Sequence, residues 1–301
     1  MNKKIVIAHR GASGYLPEHT MEAKAMAYAM NPDYIEQDLV LSKDNVPIVI
    51  HDIELDDVTD VAAKFPDRKR ENGRFYVVDF TFAELQELCV TERFNYKTGK
   101  QFYPSRFPKG KSSFRLHSLQ QEIELIQGLN RSTGKEIGVY PEIKNPEFHH
   151  QEGKDIAKIT LAILADYGYK TKEDACIFQC FDAKELERVR RVLKSDLFLV
   201  QLIEYDEETK KLKQYATYAD GLGPWYKQIV KSKEKGVWEF TSLVGEAHEL
   251  GMQVHPYTFR ADQLEEFSSF DEMLEVLLFE AQVDGGFTDF PDKMVSFLAK
   301  K

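Results

Sequence analysis

The sequence predicts an α/β fold, a (β/α)8 TIM barrel with an inserted subdomain after the second strand. Three observations lead to this prediction. Short apolar runs alternate with segments of helical periodicity along most of the 301 residues, which is typical of βαβ units and a parallel sheet. Two of the runs lie too close together for a parallel crossover. A long polar stretch, residues 53–115, interrupts the alternation.

Nine runs have the length and composition of buried strands. In chain order they read KIVIA, YIEQDLV, VPIVIH, IGVYPEI, ACIFQC, LFLVQL, ADGLG, MQVHPY and GGFTDF. The segments between them show helical periodicity, as in TMEAKAMAYAM, LQQEIELIQGL, EGKDIAKITLAILADY, AKELERVRRVL, LVGEAHELG and EMLEVLLFEA. Nine strands are one more than an eight-stranded barrel contains.

A hairpin accounts for the extra strand. YIEQDLV reaches VPIVIH almost at once, so these two runs must be antiparallel. Asp44 and Asn45 suit a two-residue turn because both tolerate positive φ. That turn places Lys43 opposite Val46 and carries Asp38 to a position opposite His51. The other eight runs then form the barrel, and the whole chain, 1–301, is expected to be one barrel domain.

The polar stretch does not follow the rhythm of the barrel. Residues 53–115 contain FPDRKRENGRFYVVDF and YPSRFPKGKSSFR, which are rich in aromatic, proline and basic residues. They leave the barrel just after His51 and Asp52. We expect an inserted subdomain on the catalytic face, where barrel active sites are built. A mobile loop without function is the alternative.

Composition limits the possible partners. The formal net charge of −10 argues against a nucleic-acid binder or a polybasic membrane surface. No apolar run approaches the ~20 residues of a membrane span. The 43% apolar content supports a sizeable core. A small-molecule substrate in a local pocket is the expected partner.

Carboxylates recur two residues apart at the ends of probable strands. Glu36 and Asp38 share one face of YIEQDLV, and two adjacent carboxylates repel unless a cation lies between them. Glu142 and Lys144 repeat the spacing in GVYPEIKN. Oxygen ligands of this kind suit Mg²⁺ or Ca²⁺. An exposed strand face or a strand-end ion pair is the alternative for each motif alone.

His9 and Arg10 follow the first strand directly. In a parallel barrel all strand ends meet at one rim, so this pair is expected beside the carboxylates and His51. Histidine can accept or donate a proton near neutral pH, and arginine matches two phosphate oxygens. The combination predicts a site that cleaves phosphodiesters.

The motifs HRGASGYLPEHT, EQD, HD and PEIK resemble those of the glycerophosphodiester phosphodiesterase family. Further stretches, such as FPDRKRENGRFYVVDFT, QCFD, VHPYT and TDFPDK, resemble its bacterial periplasmic, calcium-dependent branch. The resemblance covers essentially the whole chain. It implies the same barrel, with an insertion after the second strand, and a metal-dependent hydrolysis of glycerophosphocholine or glycerophosphoethanolamine to sn-glycerol 3-phosphate and an alcohol.

Carried across, the resemblance implies roles for seven residues. They are the metal ligands Glu36, Asp38 and Glu142, the acid–base pair His9 and His51, and the substrate-binding Arg10 and Lys144. The metal is expected to be Ca²⁺, with Mg²⁺ as the alternative. Attack by the substrate's own glycerol hydroxyl and direct attack by water both remain open, as does the division of labour between the histidines.

Other implications of the resemblance are broader. The branch is periplasmic, with a signal peptide that this chain does not show, and the cytoplasm is the alternative. The oligomeric state is expected to be monomer or homodimer. Competing functions are a barrel phosphodiesterase acting on lysophospholipid head groups and a catalytically inactive binding protein. His19 stands where many family members have asparagine, and we expect it to lie behind the site or at the surface.

Overall fold

The computed structural model describes residues 3–234 and 236–301, and its central feature is a sheet of eight parallel strands. The described residues form eleven strands in all: β1 (Ile5–Ala8), β2 (Tyr34–Leu41), β3 (Pro47–Val49), β4 (Gly138–Ile143), β5 (Ile177–Cys180), β6 (Phe198–Ile203), β7 (Gly221–Pro224), β8 (Val230–Glu234), β9 (Val237–Phe240), β10 (Gln253–Val254) and β11 (Gly285–Thr288). The sheet order is β10-β7-β6-β5-β4-β2-β1-β11, and β3 pairs with β2 alone.

Backbone hydrogen bonds close the barrel between β10 and β11, the two strands at the ends of the sheet order. Asp284 N donates to Val254 O at 3.0 Å, and Phe287 N donates to Pro256 O at 3.0 Å. All nine predicted strands form, and eight of them are parallel, so the predicted barrel is confirmed. The β8–β9 hairpin was not predicted.

Helices cover the outside of the barrel, and short helices also occur in the loops between its strands. They are α1 (Met21–Ala29), α2 (Val61–Lys64), α3 (Phe82–Glu87), α4 (Leu119–Thr133), α5 (Pro146–Gln151), α6 (Ile156–Asp166), α7 (Ala183–Arg191), α8 (Asp206–Thr209), α9 (Leu212–Tyr215), α10 (Leu243–Glu249), α11 (Phe270–Glu275) and α12 (Pro291–Leu298). Helix α4 shows how the sequence sets such bounds. Ser118 and Gln121 form a capping box at its start, and Gly134, at φ 71°, ends it.

A small apolar cluster inside the barrel forms the floor on which the rim residues stand. It includes Ile7, Tyr140, Ile177 and Phe287, all buried. Each of them lies two residues before a rim position, and side chains two apart in a strand share a face. The residues that follow at that spacing are His9, Glu142, Gln179 and Asp289. The strand pattern therefore directs these four side chains to the same end of the barrel.

The predicted register of the β2–β3 hairpin is wrong by one residue. Leu39 pairs with Val49, and Ile50 N donates to Asp38 O at 2.9 Å, so Ile50 and not His51 lies opposite Asp38. The turn has three residues, because Ser42 N donates to Val46 O at 2.9 Å and Asn45 takes the left-handed φ of 63°. Such three-residue loops are the next commonest hairpin connection after two-residue turns.

Contacts with the polar stretch explain why the longer turn is preferred. Lys43 N donates to Phe80 O at 2.8 Å, and Phe82 N donates to Asp44 Oδ1 at 2.9 Å. These partners lie far along the chain, so local turn preferences could not include them. The hairpin itself was predicted correctly.

The segment after His51 has an apolar core of its own. Leu55, Val77, Phe80 and Phe114 belong to a buried cluster that also includes side chains of β2 and β3. This cluster supports our proposal that residues 53–115 are a subdomain within a single domain, 1–301, whose first two residues lie outside the described part. Among the helices of the described residues, none combines the length and the hydrophobicity that a membrane-spanning segment needs.

Candidate active site

One cavity at the carboxyl ends of the strands gathers all seven predicted site residues. Its volume is about 180 Å³. It is lined by His9, Arg10, Glu36, Asp38, His51, Glu142 and Lys144, together with Gln179, Phe181, Leu202, Trp225, Tyr257, Thr258, Arg260 and Phe287. Residues separated by up to 135 positions, from His9 to Lys144, thus meet at one rim because parallel strands end there.

Three buried carboxylates form the negative side of the cavity. Glu36, Asp38 and Glu142 each offer an oxygen, and these oxygens lie within 4.8 Å of one another. The register explains the grouping, since Asp38 pairs with Glu142 across β2 and β4. Lys144 Nζ lies 2.6 Å from Glu142 Oε1 and 3.7 Å from Asp38 Oδ1.

The chemistry of this group fits a divalent cation. Burial, together with the charge of Asp38, raises the pKa of Glu36 well above its usual value, and burial raises the pKa of Glu142 to about 7. Asp38 Oδ1 is buried and has no hydrogen-bond partner among the residues that the structure describes. An all-oxygen donor set with an unpartnered carboxylate oxygen is what Ca²⁺ or Mg²⁺ binds.

His9 is held by a carboxylate from the neighbouring strand end. Its Nδ1 lies 2.6 Å from Asp289 Oδ1. Burial would raise the pKa of Asp289, but Arg260 and the contact with His9 hold it well below its usual value. Asp289 is therefore ionised and accepts from Nδ1, which leaves Nε2 facing Glu36 Oε2 at 4.0 Å. Burial lowers the pKa of His9 to about 4.

His51 is held in the same way by the next residue in the chain. Its Nδ1 lies 2.6 Å from Asp52 Oδ1. Burial would raise the pKa of Asp52, but its hydrogen bond to His51 and the charge of Arg93 hold it below its usual value. Burial, Arg10 and Lys144 lower the pKa of His51 to about 4. The histidine reaches the cavity because the chain leaves the sheet after Val49, so the register does not decide its face.

Arg10 and His19 both contact the carboxylates of β2. Arg10 has a left-handed φ of 56°, and its backbone N donates to Glu36 Oε2 at 2.7 Å. Its guanidinium donates to Glu18 Oε1 at 3.0 Å. His19 Nε2 lies 2.8 Å from Asp38 Oδ2 and is buried. His19 thus lies behind the site and not at the surface.

Several residues of the site carry no motif that marked them as site residues in the sequence. Asp289 could have been found, because β1 and β11 pair Ala8 with Thr288, which places His9 and Asp289 side by side. Gln179 is 1% exposed, and within the described part of the chain neither the amide oxygen nor the amide nitrogen of its side chain has a hydrogen-bond partner. It pairs with Glu142 in the register of β4 and β5. No motif in the sequence marked this position.

A second, larger cleft opens beside the small cavity. Its volume is about 900 Å³, and it shares His51, Glu142, Lys144, Phe181 and Tyr257 with the cavity. Its other walls are rich in carboxylates and aromatic rings, including Glu54, Glu147, Phe148, Asp182, Glu204, Tyr205 and Glu208. The site therefore has a small inner compartment and a wide acidic entrance.

A (β/α)8 barrel whose rim combines two histidines, cations and a carboxylate cluster has the groups that a phosphoester hydrolase needs. Comparisons with known proteins narrow this class. Residues 9–293 match the model of the glycerophosphoryl diester phosphodiesterase family. The chain is 49% identical to the glycerophosphodiester phosphodiesterase of Haemophilus influenzae, over 98% of this chain and 90% of that protein. It is 39% identical to that of Treponema pallidum, over 99% and 93% of the two chains.

Solved structures show the same fold. A putative glycerophosphoryl diester phosphodiesterase from Silicibacter pomeroyi aligns with a TM-score of 0.76 at 23% identity, covering 99% of this chain and 94% of that one. An Oleispira antarctica phosphodiesterase, solved in complex with the product sn-glycerol-3-phosphate, aligns with a TM-score of 0.68 at 19% identity over 99% and 97% of the chains. The chain belongs to the glycerophosphoryl diester phosphodiesterase family, and it is a phosphoric diester hydrolase.

Proposed function

We propose that the enzyme hydrolyses glycerophosphodiesters with cationic head groups, such as glycerophosphocholine and glycerophosphoethanolamine, to sn-glycerol 3-phosphate and the free alcohol. The observation that carries this proposal is the meeting of three carboxylates, three cationic side chains and two histidines around one cavity of about 180 Å³. The product complex of the Oleispira antarctica phosphodiesterase supports the same reaction.

Glu36, Asp38 and Glu142 are proposed to hold a divalent metal. We take Ca²⁺ as the ion because of the resemblance to the calcium-dependent branch, with Mg²⁺ as the alternative. When bound, the metal stabilises negative charge that develops on the phosphoryl oxygens. Arg10 and Lys144 are proposed to bind the phosphate beside the metal, because both are largely shielded cations that line the cavity next to the carboxylates.

The two compartments of the site suggest where each part of the substrate lies. Gln179 supports glycerol in the inner cavity, since its unpartnered amide can both donate to and accept from hydroxyl groups. The acidic, aromatic cleft supports a cationic head group, because carboxylates and ring faces both attract quaternary ammonium. His51 lines both compartments, whereas His9 lines the inner one.

This arrangement leads us to assign His9 as the base and His51 as the acid. His9 Nε2 takes a proton from the attacking hydroxyl, which belongs to the substrate's glycerol or to water. The bond between phosphorus and the head-group oxygen breaks, and His51 gives that oxygen a proton. The negative phosphodiester next to His51 favours its protonated form. If glycerol attacks, water then opens the cyclic phosphate with the proton transfers reversed.

The test is the release of glycerol 3-phosphate from three diesters, with choline, ethanolamine and glycerol as head groups. We expect turnover with Ca²⁺ or Mg²⁺, loss of turnover in chelator, and recovery when the ion is restored. The two cationic substrates should have kcat/KM about two- to fivefold above the neutral one, the scale of a cation–π contact of roughly 0.5–1 kcal/mol. Ca²⁺ should also raise the Tm of the wild type and not that of Asp38→Ala.

Each part of the proposal can fail separately. Full turnover in chelator would contradict the metal assignment, and equal kcat/KM for all three head groups would contradict the role of the acidic cleft. Lysophosphatidylcholine serves as a further substrate, and faster hydrolysis of it than of glycerophosphocholine would favour the lysophospholipid alternative. Absence of turnover on every diester would support an inactive binding protein. The periplasm and a monomeric or homodimeric state remain predictions, to be checked by cell fractionation and light scattering.

A further inference from the structure

Two arginines of the inserted segment reach the carboxylates that hold the two histidines. Arg106 Nη2 donates to Asp289 Oδ2 at 2.7 Å. Arg93 Nη1 donates to Asp52 Oδ2 at 2.5 Å. Both arginines belong to residues 53–115, whereas Asp289 lies at the end of a barrel strand. The insert thus contacts the site twice, once behind each histidine.

The first arm runs from Arg106 through Asp289 to His9. Arg106 also binds Asp262 through Nε at 2.8 Å and Nη2 at 3.1 Å, and its guanidinium lies 3.8 Å from the centre of the Tyr103 ring. Its side chain is only 4% exposed. A planar guanidinium held on two sides has little freedom, so it fixes the direction of the Asp289 carboxylate.

The second arm runs from Arg93 through Asp52 to His51. Arg93 donates two hydrogen bonds to Glu18, from Nε to Oε2 at 3.0 Å and from Nη2 to Oε1 at 2.6 Å. Glu18 also accepts from Arg10 at 3.0 Å. The second arm therefore reaches both His51 and the proposed phosphate-binding Arg10. In the described residues, none of the hydrogen-bond partners of Arg106 is a proposed substrate-binding group.

The two arms share one geometry. In each, one carboxylate oxygen accepts from histidine Nδ1 and the other accepts from an arginine of the insert. Asp289 Oδ2 also accepts from Arg260 Nε at 2.8 Å, so the first arm has a second cation that the second arm lacks. A carboxylate held at both oxygens cannot rotate away from the imidazole. It keeps the proton on Nδ1 and leaves Nε2 directed to the reaction, and partners of this kind set both the tautomer and the ring orientation of a histidine.

Other arginines of the insert show that these contacts are not a general feature of its surface. Arg68 pairs with Glu84. Arg70 pairs with Asp79 and with Glu152 of α5, so it holds the insert to the barrel without touching either histidine's carboxylate. Arg68 and Arg70 are therefore matched controls for arginines that act only on folding and docking.

We propose that Arg93 and Arg106 are positioning residues through which the insert orients His51 and His9 for proton transfer. The proposal rests on the acid–base roles proposed for the two histidines. In this proposal the insert contributes to the chemistry indirectly, because neither arginine touches the substrate.

Double-mutant cycles in the purified, metal-loaded enzyme test the proposal. Arg106→Ala should lower kcat for glycerophosphocholine about 10- to 100-fold, the cost of losing a partner that orients a histidine, with KM changed less than about twofold. Asp289→Asn should do the same, and Arg106→Ala/Asp289→Asn should be no slower than the worse single variant, because both break one arm. Arg93→Ala and Asp52→Asn should behave likewise, with a rise in KM for Arg93→Ala through Glu18 and Arg10.

Crossed pairs sharpen the test. Arg106→Ala/Asp52→Asn breaks both arms, so the two losses in kcat should multiply. Arg68→Ala and Arg70→Ala should keep kcat within about twofold of the wild type. Full kcat in Arg106→Ala, or multiplied losses within one arm, would overturn the proposal. If His9→Ala and His51→Ala also keep full activity, the proposed function has failed. If these two variants are inactive, the proposed function stands and only the positioning role has failed.

A second measurement covers variants that fold poorly. Arg106→Lys keeps the charge but loses the fork, and Asp262→Asn loosens Arg106 without touching Asp289. The ¹⁵N shifts of the imidazoles report the tautomer directly. We expect His9 to lose its pure Nδ1–H form in both variants while His51 keeps it. Unchanged shifts for His9 in both would sink the proposal.

Discussion

The two histidines face one cavity, but different parts of the molecule hold them. His9 follows β1, and its partner Asp289 follows the hydrogen-bonded neighbour β11. His51 and its partner Asp52 are adjacent in the chain and lie beyond the end of β3. The side chain of His9 is 9% exposed and that of His51 is 30% exposed.

This difference shows two ways of placing a proton-transfer group. Sheet hydrogen bonds fix His9, since the register of two parallel strands sets its height and its neighbour. Loop contacts fix His51, so it depends on the hairpin and on Arg93 of the insert. The buried histidine belongs to the inner cavity, and the more exposed one opens onto the wide cleft.

The largest expected effect separates the histidines by chemistry. His9→Ala and His51→Ala should each lower kcat for glycerophosphocholine at least ~10²-fold, the scale of lost general acid–base catalysis. With the p-nitrophenyl ester of glycerol 3-phosphate, whose leaving group needs no proton, His51→Ala should recover most of its activity and His9→Ala should not. Release of p-nitrophenol measures this, and recovery by His9→Ala alone would exchange the two roles.

The next effect concerns stability. Asp289→Asn should lower the free energy of unfolding by about 3 kcal/mol, because it removes the buried charge that Arg106 and Arg260 both contact and leaves Arg106 with Asp262 alone. Asp52→Asn should cost only about 1 kcal/mol, since Asp52 is 26% exposed and water can replace part of the contact. Urea unfolding compares the two, and equal losses would contradict the distinction between sheet-held and loop-held pairs.

A buried acid next to Arg93 predicts a pH dependence. Burial, helped by the charge of Glu18, raises the pKa of Glu92 to about 8. The folded state therefore binds a proton that the unfolded state releases between about pH 4.5 and 8, so stability falls as the pH rises through that window. Glu92→Gln removes this loss, and its Tm relative to the wild type should increase by about 2–4 °C from pH 5 to pH 9.

Glu84 provides the control for this measurement. Its hydrogen bonds with Arg68 and Thr81 lower its pKa to about 2. It is ionised in both states above about pH 6, so Glu84→Gln should shift the Tm by a constant amount from pH 6 to pH 9. A constant shift for Glu92→Gln as well would show that Glu92 is already ionised in the fold.

The smallest effect follows from exposure alone. Diethyl pyrocarbonate should modify His51 about three times faster than His9, in line with exposed fractions of 30% and 9%. Peptide mapping after short treatment measures both rates in the same sample. Faster modification of His9 would mean that the inner cavity is the open one.

The sequence was sufficient to place side chains where the alternation of apolar and polar residues along a strand is clear, because that alternation fixes the face on which each side chain lies. Glu36 and Asp38 share a face because side chains alternate along a strand, and Glu142 joins them because β2 and β4 are parallel neighbours. His51 lines the cavity as predicted, but not for the predicted reason. The register places Ile50 and not His51 opposite Asp38, so the predicted pairing was wrong by one residue. The error arose because Phe80 and Phe82 stabilise a longer turn from across the insert.

The sequence by itself determined the barrel, the hairpin and seven of the side chains at the rim, because strand periodicity and parallel connection act locally. Its motifs carried the family resemblance. Only the tertiary structure decided which carboxylate holds each histidine, where Gln179 lies, and that Arg93 and Arg106 reach back to the site. Those contacts join residues up to 280 positions apart. Loop and insert residues carry no periodic pattern, so their positions depend on packing that appears only when the whole chain has folded.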